Sequence, residues 1–169
     1  MDKIIETERL LLRPLVREDA GDVFEWVGDP IVNTYMPYSL YQNIGQVGEW
    51  IGSLEDDDNE FAFCLKDIHK VIGSGSITFD PPSKAYELGY NLNRAFWGKG
   101  YATEAAKAMI QWAYHTLQVR DFVARHANAN AASGNVIKKC GFLFDHYGQY
   151  SRFDGSKTFD ASFYTMHLD

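Results

Sequence analysis

The sequence predicts an α+β fold: one mixed, mostly antiparallel central sheet of about seven strands, flanked by about four helices. Two observations carry this prediction. The apolar residues switch repeatedly between alternation and three- or four-residue steps. The switches give the order strand, two helices, three strands, helix, strand, helix, two strands. The three middle strands have connections too short for crossover helices, so they form an antiparallel meander. A chain of 169 residues, 46% of them hydrophobic, fits one domain over 1–169. It buries roughly 70% of its unfolded surface without disulfide staples.

Each element has its own signal. Arg9 to Leu15 reads as a strand closed by Pro14, and Arg17-Glu18-Asp19 opens a helix with Val23, Phe24 and Val27 on one side. Gly28-Asp29-Pro30 ends it. Asn33 to Tyr41, rich in aromatics around Pro37, reads as a loop or short irregular helix. Asn43 to Leu54 places Val47, Trp50, Ile51 and Leu54 at helical spacing. The acidic run Glu55 to Asp58 reads as a solvated turn. Strands follow around Phe61, Phe63 and Leu65, over Val71 to Phe79, and over Ala85 to Leu92. The last puts Tyr86, Leu88, Tyr90 and Leu92 on one face and Glu87, Gly89 and Asn91 on the other. Ala102 to Leu117 is the strongest helical pattern in the chain. Asp121 to His126 is a strand. Asn130 to Cys140 is a helix with Asn130 as N-cap and Gly141-Phe142 as a Schellman stop. Leu143 to Tyr150 and Thr158 to Leu168 form a last hairpin around Asp154-Gly155.

Composition narrows the function. The net charge of −7 argues against a general nucleic-acid binder, since each phosphate contact needs a cation. It suits a cationic partner or substrate. Cys64 and Cys140 each stand alone, without metal-ligand spacing, and read as small buried hydrophobes. The opening MDKIIETERLLL lacks a signal peptide's apolar core, and no stretch is long enough to span a membrane. The expectation is a soluble cytoplasmic protein with no metal.

The chemistry concentrates in Phe96-Trp97-Gly98-Lys99-Gly100-Tyr101-Ala102-Thr103-Glu104, between a strand and the long helix. Two glycines let the backbone come close to a ligand. The N–H groups of the loop and first helical turn then converge on a point that favours an anion, and Lys99 adds charge. A phosphate or pyrophosphate is the natural guest. The loop is not a Walker motif, because Gly100 follows Lys99. It is not a dinucleotide fingerprint, because Thr103 stands at the third glycine position. A strand-to-helix turn using glycine for geometry alone remains open at this point.

The segment WGKGYATEA, preceded by Glu87 to Leu92, resembles motif A of the GNAT N-acetyltransferases. Asn130-Ala131-Ala132-Ser133, running on to Gly141-Phe142, is similar to a second element of that family. The opening ETERLLLRPL and Asp160 in the last strand resemble its Rim-like branch of ribosomal-protein Nα-acetyltransferases. The resemblance spans roughly Thr7 to Leu168. It implies acetyl-CoA as donor, with the pyrophosphate on Gly98, Lys99, Gly100, Tyr101, Ala102 and Thr103. The pantetheine arm would pair with backbone near Leu92, and Asn130 would reach a pantetheine amide. Two positions depart from the family. Ala95 replaces the loop's usual Arg or Gln, with Arg94 one place away. Ile137 stands where many relatives place a tyrosine general acid, which leaves Ser133 as the nearest hydroxyl.

Direct transfer needs a neutral amine. An α-amine with a pKa near 8 is about one-tenth neutral at pH 7, whereas a lysine amine is only about 0.04% neutral. A carboxylate acting through water therefore suffices for an α-amine. Glu87, on the strand beside the thioester, is the candidate base, with a surface ion pair as the alternative. Glu104, in the first helical turn, is read as structural. Tyr35, Tyr38, Tyr147 and Tyr150 are candidates to line the acceptor cleft. The expected activity is transfer of an acetyl group to a primary amine, either a protein N-terminus or a small molecule, by a monomer or homodimer. The alternative is a non-catalytic CoA-binding sensor or interaction module on the same fold.

Overall fold

A computed structural model of the protein describes residues 3–169. The strands are β1 (Ile5–Glu6), β2 (Leu10–Pro14), β3 (Glu60–Leu65), β4 (Lys70–Asp80), β5 (Ala85–Leu92), β6 (Asp121–Ala127), β7 (Leu143–Ser151) and β8 (Thr158–His167). The helices are α1 (Ala20–Val27), α2 (Ile44–Gly52), α3 (Tyr101–Thr116) and α4 (Ala131–Lys139). All eight strands form one sheet in the order β1-β2-β3-β4-β5-β6-β8-β7. The extra strand over the sequence expectation is β1, whose two residues are too few to show a period.

Every strand pair is antiparallel except β5–β6. That exception follows from the connection, because α3 crosses between β5 and β6 as a parallel pair requires. The helices cover both faces. Phe61, Phe63, Ile72, Ile77, Leu88 and Leu92 pack under α3 and α4 with Ala105, Met109, Ile110 and Ile137. On the other face, Val23, Trp26, Val47 and Ile51 of α1 and α2 cover Ala62, Cys64 and Val71. The alternation read in Ala85 to Leu92 is therefore real. Leu88 and Leu92 enter the α3–α4 core, and Glu87 and Asn91 point to the opposite side.

The caps are local and specific. The Asn43 side chain accepts from Gln46 N at the start of α2, and the Asn130 side chain accepts from Ser133 N at the start of α4. The acidic run Asp56–Asp58 is a single 3₁₀ turn. Gly141 has φ 101° after α4, and Phe142 N donates back to Ile137 O while its ring is buried. Cys64 and Cys140 are free thiols, the first buried and the second half-buried. Among the described residues, no helix is long and apolar enough to cross a membrane.

Candidate active site

The site is organised by a parting of two strands. β5 and β6 pair only at Tyr86–Phe122 and Glu87–Val123. Beyond Glu87 they separate, leaving the edge of β5 from Leu88 to Leu92 without a strand neighbour on that side. Asn93 N donates to Ile72 O of β4 at 2.7 Å, so alternation turns the Leu92 backbone toward the gap. Side chains meet both of its groups there. Leu92 N donates to Asn91 Oδ1 at 3.0 Å, and Trp97 Nε1 donates to Leu92 O at 2.9 Å.

The glycine loop closes one end of this gap. Gly98 and Gly100 have φ of 75° and 84°, which only glycine adopts without strain. Gly100 is the N-cap of α3, and the first helical bond runs from Glu104 N to Gly100 O. The preceding N–H groups, of Tyr101, Ala102 and Thr103, therefore leave the helix end without intrahelical partners. Gly98, Lys99 and Gly100 are exposed, and a Cβ at Gly98 would meet nothing within 4 Å. This open cradle of N–H groups fits a pyrophosphate.

Glu104 has a structural task, as expected. Its Oε2 accepts from Thr7 Oγ1 at 2.6 Å and Arg9 N at 2.9 Å, and its Oε1 pairs with Arg9 Nε at 2.8 Å. Burial pushes its carboxyl up, but the bonds from Thr7 and Arg9 and the guanidinium charge outweigh that and hold it low. Arg9 also stacks 4.1 Å from the Tyr101 ring centre and donates to Lys99 O. Arg94 forms an ion pair with Asp29 at 3.1 Å, so it does not stand in for the residue missing at Ala95.

The other expected residues divide between the two faces. On the α3–α4 side, the Ser133 hydroxyl lies 2.8 Å from the Tyr90 hydroxyl, which also reaches Ser133 O at 3.1 Å. Burial pushes the Tyr90 phenol well up, only partly offset by Ser133. Ile137 is fully buried in the core and has no access to the gap. Alternation along β5 marks Tyr90 only as a core aromatic, so the sequence does not show that its phenol meets Ser133. On the α1–α2 side stand Glu87, Gly89 and Asn91. Glu87 is paired with Arg125 at 3.5 Å, both partners being about one-third exposed. Burial raises its carboxyl, and Arg125 offsets this only in part. Glu87 and Ser133 thus lie on opposite faces of the sheet, with the strand gap between them.

The segment 29–41, between α1 and α2, roofs the Glu87 side. Asn91 Nδ2 donates to the Tyr38 hydroxyl. The β7–β8 hairpin holds the same segment, through Tyr150 Oη to Tyr35 O at 2.6 Å and Phe153 N to Pro37 O at 2.8 Å. Tyr35, Tyr38 and Tyr150 therefore share this face. Tyr147 does not, contrary to expectation. It sits in a recess of about 680 Å³ with His126, Asn128, Lys138, Phe144, Ser162 and Tyr164. From Tyr147 to Tyr150 the β7–β8 register is regular, so the three-residue step puts the two rings on opposite faces of the strand.

The geometry has counterparts among known proteins. A family model described as an acetyltransferase (GNAT) domain matches residues 9–143. An uncharacterized N-acetyltransferase, p20 of Bacillus licheniformis, is 32% identical over 142 residues, 80% of each chain. A GNAT-family acetyltransferase structure from Bacillus anthracis superposes with a TM-score of 0.86 at 23% identity, covering 97% of this chain and 98% of its own. The microcin C7 self-immunity acetyltransferase MccE, solved with acetyl-CoA and AMP, superposes with a TM-score of 0.82 at 20% identity, covering 96% of this chain and 94% of its own.

Proposed function

Because the chain belongs to the GNAT acetyltransferase family, we propose that it transfers the acetyl group of acetyl-CoA directly to a primary amine, within the Rim-like branch. The parting of β5 from β6 beside an N–H cradle carries this reading. It leaves a strand edge for an amide-bearing arm next to a site for its pyrophosphate. Acetyl-CoA, when bound, supplies the activated acyl group. The Gly98 to Thr103 backbone holds the anion, Leu92 pairs with the arm, and Asn130 stands at the start of α4 beside it. The Rim-like assignment is supported by the ETERLLLRPL opening and by Asp160 in β8.

Glu87 is the carboxylate that takes the acceptor's proton. Its 3.5 Å contact with Arg125 is long for a charge-assisted hydrogen bond, so an entering ammonium competes for it. Ser133, held by Asn130 and Tyr90, stands across the gap, where its hydroxyl hydrogen-bonds the departing sulfur. The acceptor is a protein α-amine or a small primary amine, and the enzyme works in the cytoplasm. Thiol release from acetyl-CoA, measured with peptides bearing free N-termini and with small amines, tests this reading. The product should gain the mass of one acetyl group. Binding of CoA with no amine acetylated would overturn it.

A further inference from the structure

A second carboxyl lies on the acceptor face, where the sequence showed only the start of a strand. Glu60 is the first residue of β3. Its register partner on β4 is Ser76, and the partner of Ser76 on β5 is Gly89. Directly paired residues share a face, so Glu60, Ser76 and Gly89 form one row across three strands. Ser74 and Asn91 form the next row, and Thr78 and Glu87 the row on the other side. The side chains of Ser76 and Ser74 lie on the same face as Glu60, and their hydroxyls favour its ionised form. A Cβ built on Gly89 would lie 3.5 Å from Ser76 Oγ, so the bare face of Gly89 opens onto that hydroxyl. Gly89 is two residues past the point where β5 leaves β6.

The charged and titratable groups acting on Glu60 are few. Asp58 lies two residues before it, and Tyr38 and Tyr41, of the roofing segment and its end, interact with it electrostatically. Asp58 disfavours ionisation. Glu87 differs, because it has the guanidinium of Arg125 beside it, and a neighbouring cation weakens a base.

We infer that Glu60 provides a second route for the one proton that a carboxylate must take from the amine, in place of Glu87, reached through the Ser76 hydroxyl from above Gly89. The inference rests on the acetyl-transfer reading. The ammonium N–H bond breaks and its proton goes to Ser76 Oγ, while the hydroxyl's own proton passes to the Glu60 carboxylate. The nitrogen keeps the electron pair that attacks the thioester carbon. As the C–S bond breaks, the nitrogen's second proton ends on the CoA sulfur, and Glu60 returns the first to solvent. Burial lifts the Glu60 carboxyl to about 7, with the two hydroxyls opposing the rise, so near neutral pH it can both accept and release a proton.

The test uses saturating acetyl-CoA and the fastest amine of the panel, with kcat followed against pH. The parent's kcat should rise with an apparent pKa near 7. In Glu60→Gln, kcat at pH 7 should fall about 100-fold, with KM for acetyl-CoA within about twofold. The remaining limb should move to the amine's own titration, near 8 for an α-amine. A folded Glu60→Gln with the parent's kcat and pH profile overturns the inference. Should that variant melt early, Ser76→Ala decides. A kcat lowered about tenfold at unchanged KM supports the relay, and an unchanged kcat overturns it. A parent that acetylates no amine overturns the underlying reading, whereas an active parent indifferent to both substitutions overturns only this one.

Discussion

Arg9 Nη1 donates to the carbonyl oxygen of Lys99 at 2.9 Å, across ninety residues of sequence. This bond ties the exposed loop, through the Lys99 carbonyl, to the residue just before β2. The arginine is fixed in turn by Glu104 and by the Tyr101 ring. Arg9→Ala should therefore weaken CoA binding about 3- to 10-fold. It should cost only about 1 kcal/mol of stability, since the guanidinium is over one-third exposed. Arg9→Lys should recover part of the stability and less of the affinity, because it cannot reach Glu104 and Lys99 together. Calorimetric titration with CoA beside a denaturant melt separates the two. Equal losses of affinity in both variants, with no loss of stability, would point to direct contact with the ligand instead.

Gly100→Glu should abolish measurable CoA binding while the chain still folds. The residue has φ 84°, so any side chain adds strain of about 1–2 kcal/mol. The carboxylate then brings negative charge to the anion site. Gly100→Ala carries the strain without the charge and should bind CoA more weakly than the parent but detectably. Tight binding by the glutamate variant would show that the loop does not hold the pyrophosphate.

Ser133→Ala should lower turnover roughly 5- to 150-fold, the worth of one hydrogen bond to a charged sulfur, with CoA affinity within a few-fold. Tyr90→Phe tests the same hydroxyl from behind. It removes the partner that orients Ser133, so it should lower turnover less than Ser133→Ala does. The double variant should be no slower than Ser133→Ala alone. Additive losses would give Tyr90 a separate task.

Glu60 makes stability depend on pH with a definite sign. Its ordinary pKa is 4.5, and burial raises it to about 7 in the folded chain. Below 4.5 it is neutral in both states and costs nothing. As pH climbs toward 7 the unfolded chain ionises first, and this part of the stability is lost. Glu60→Gln should match the parent near pH 4.5 and be more stable by about 1–3 kcal/mol at pH 8. Urea melts at the two pH values check this. A variant less stable than the parent at pH 8 would mean that the carboxylate gains more from its hydroxyls than it loses by burial.

The elements with a long period were legible in the sequence. Ala85 to Leu92 has the predicted bounds, and its two faces carry the residues assigned to them. Asn130 and Gly141 cap α4 as their chemistry requires. Register was not legible. Nothing local says that Ser76 stands between Glu60 and Gly89, because that row is made of residues from three strands. Glu60 adjoins Asp56 to Asp58, and beside them a further carboxylate looks solvated. Tyr90 was hidden differently. It obeys the strand's alternation, so its position identified an aromatic of the core and not the phenol that meets Ser133.

The bond from the Trp97 indole to Leu92 O has an optical consequence. An arm that pairs with Leu92 must take over the places of Asn91 Oδ1 and Trp97 Nε1, so binding exchanges hydrogen bonds and adds few. Trp97 is 46% exposed, whereas Trp26 and Trp112 are buried. Release of its ring from Leu92 should change the chain's tryptophan emission as CoA is titrated, and Trp97→Phe should erase the change. Such a change would make Trp97 a fluorescent reporter of donor occupancy, readable without any label.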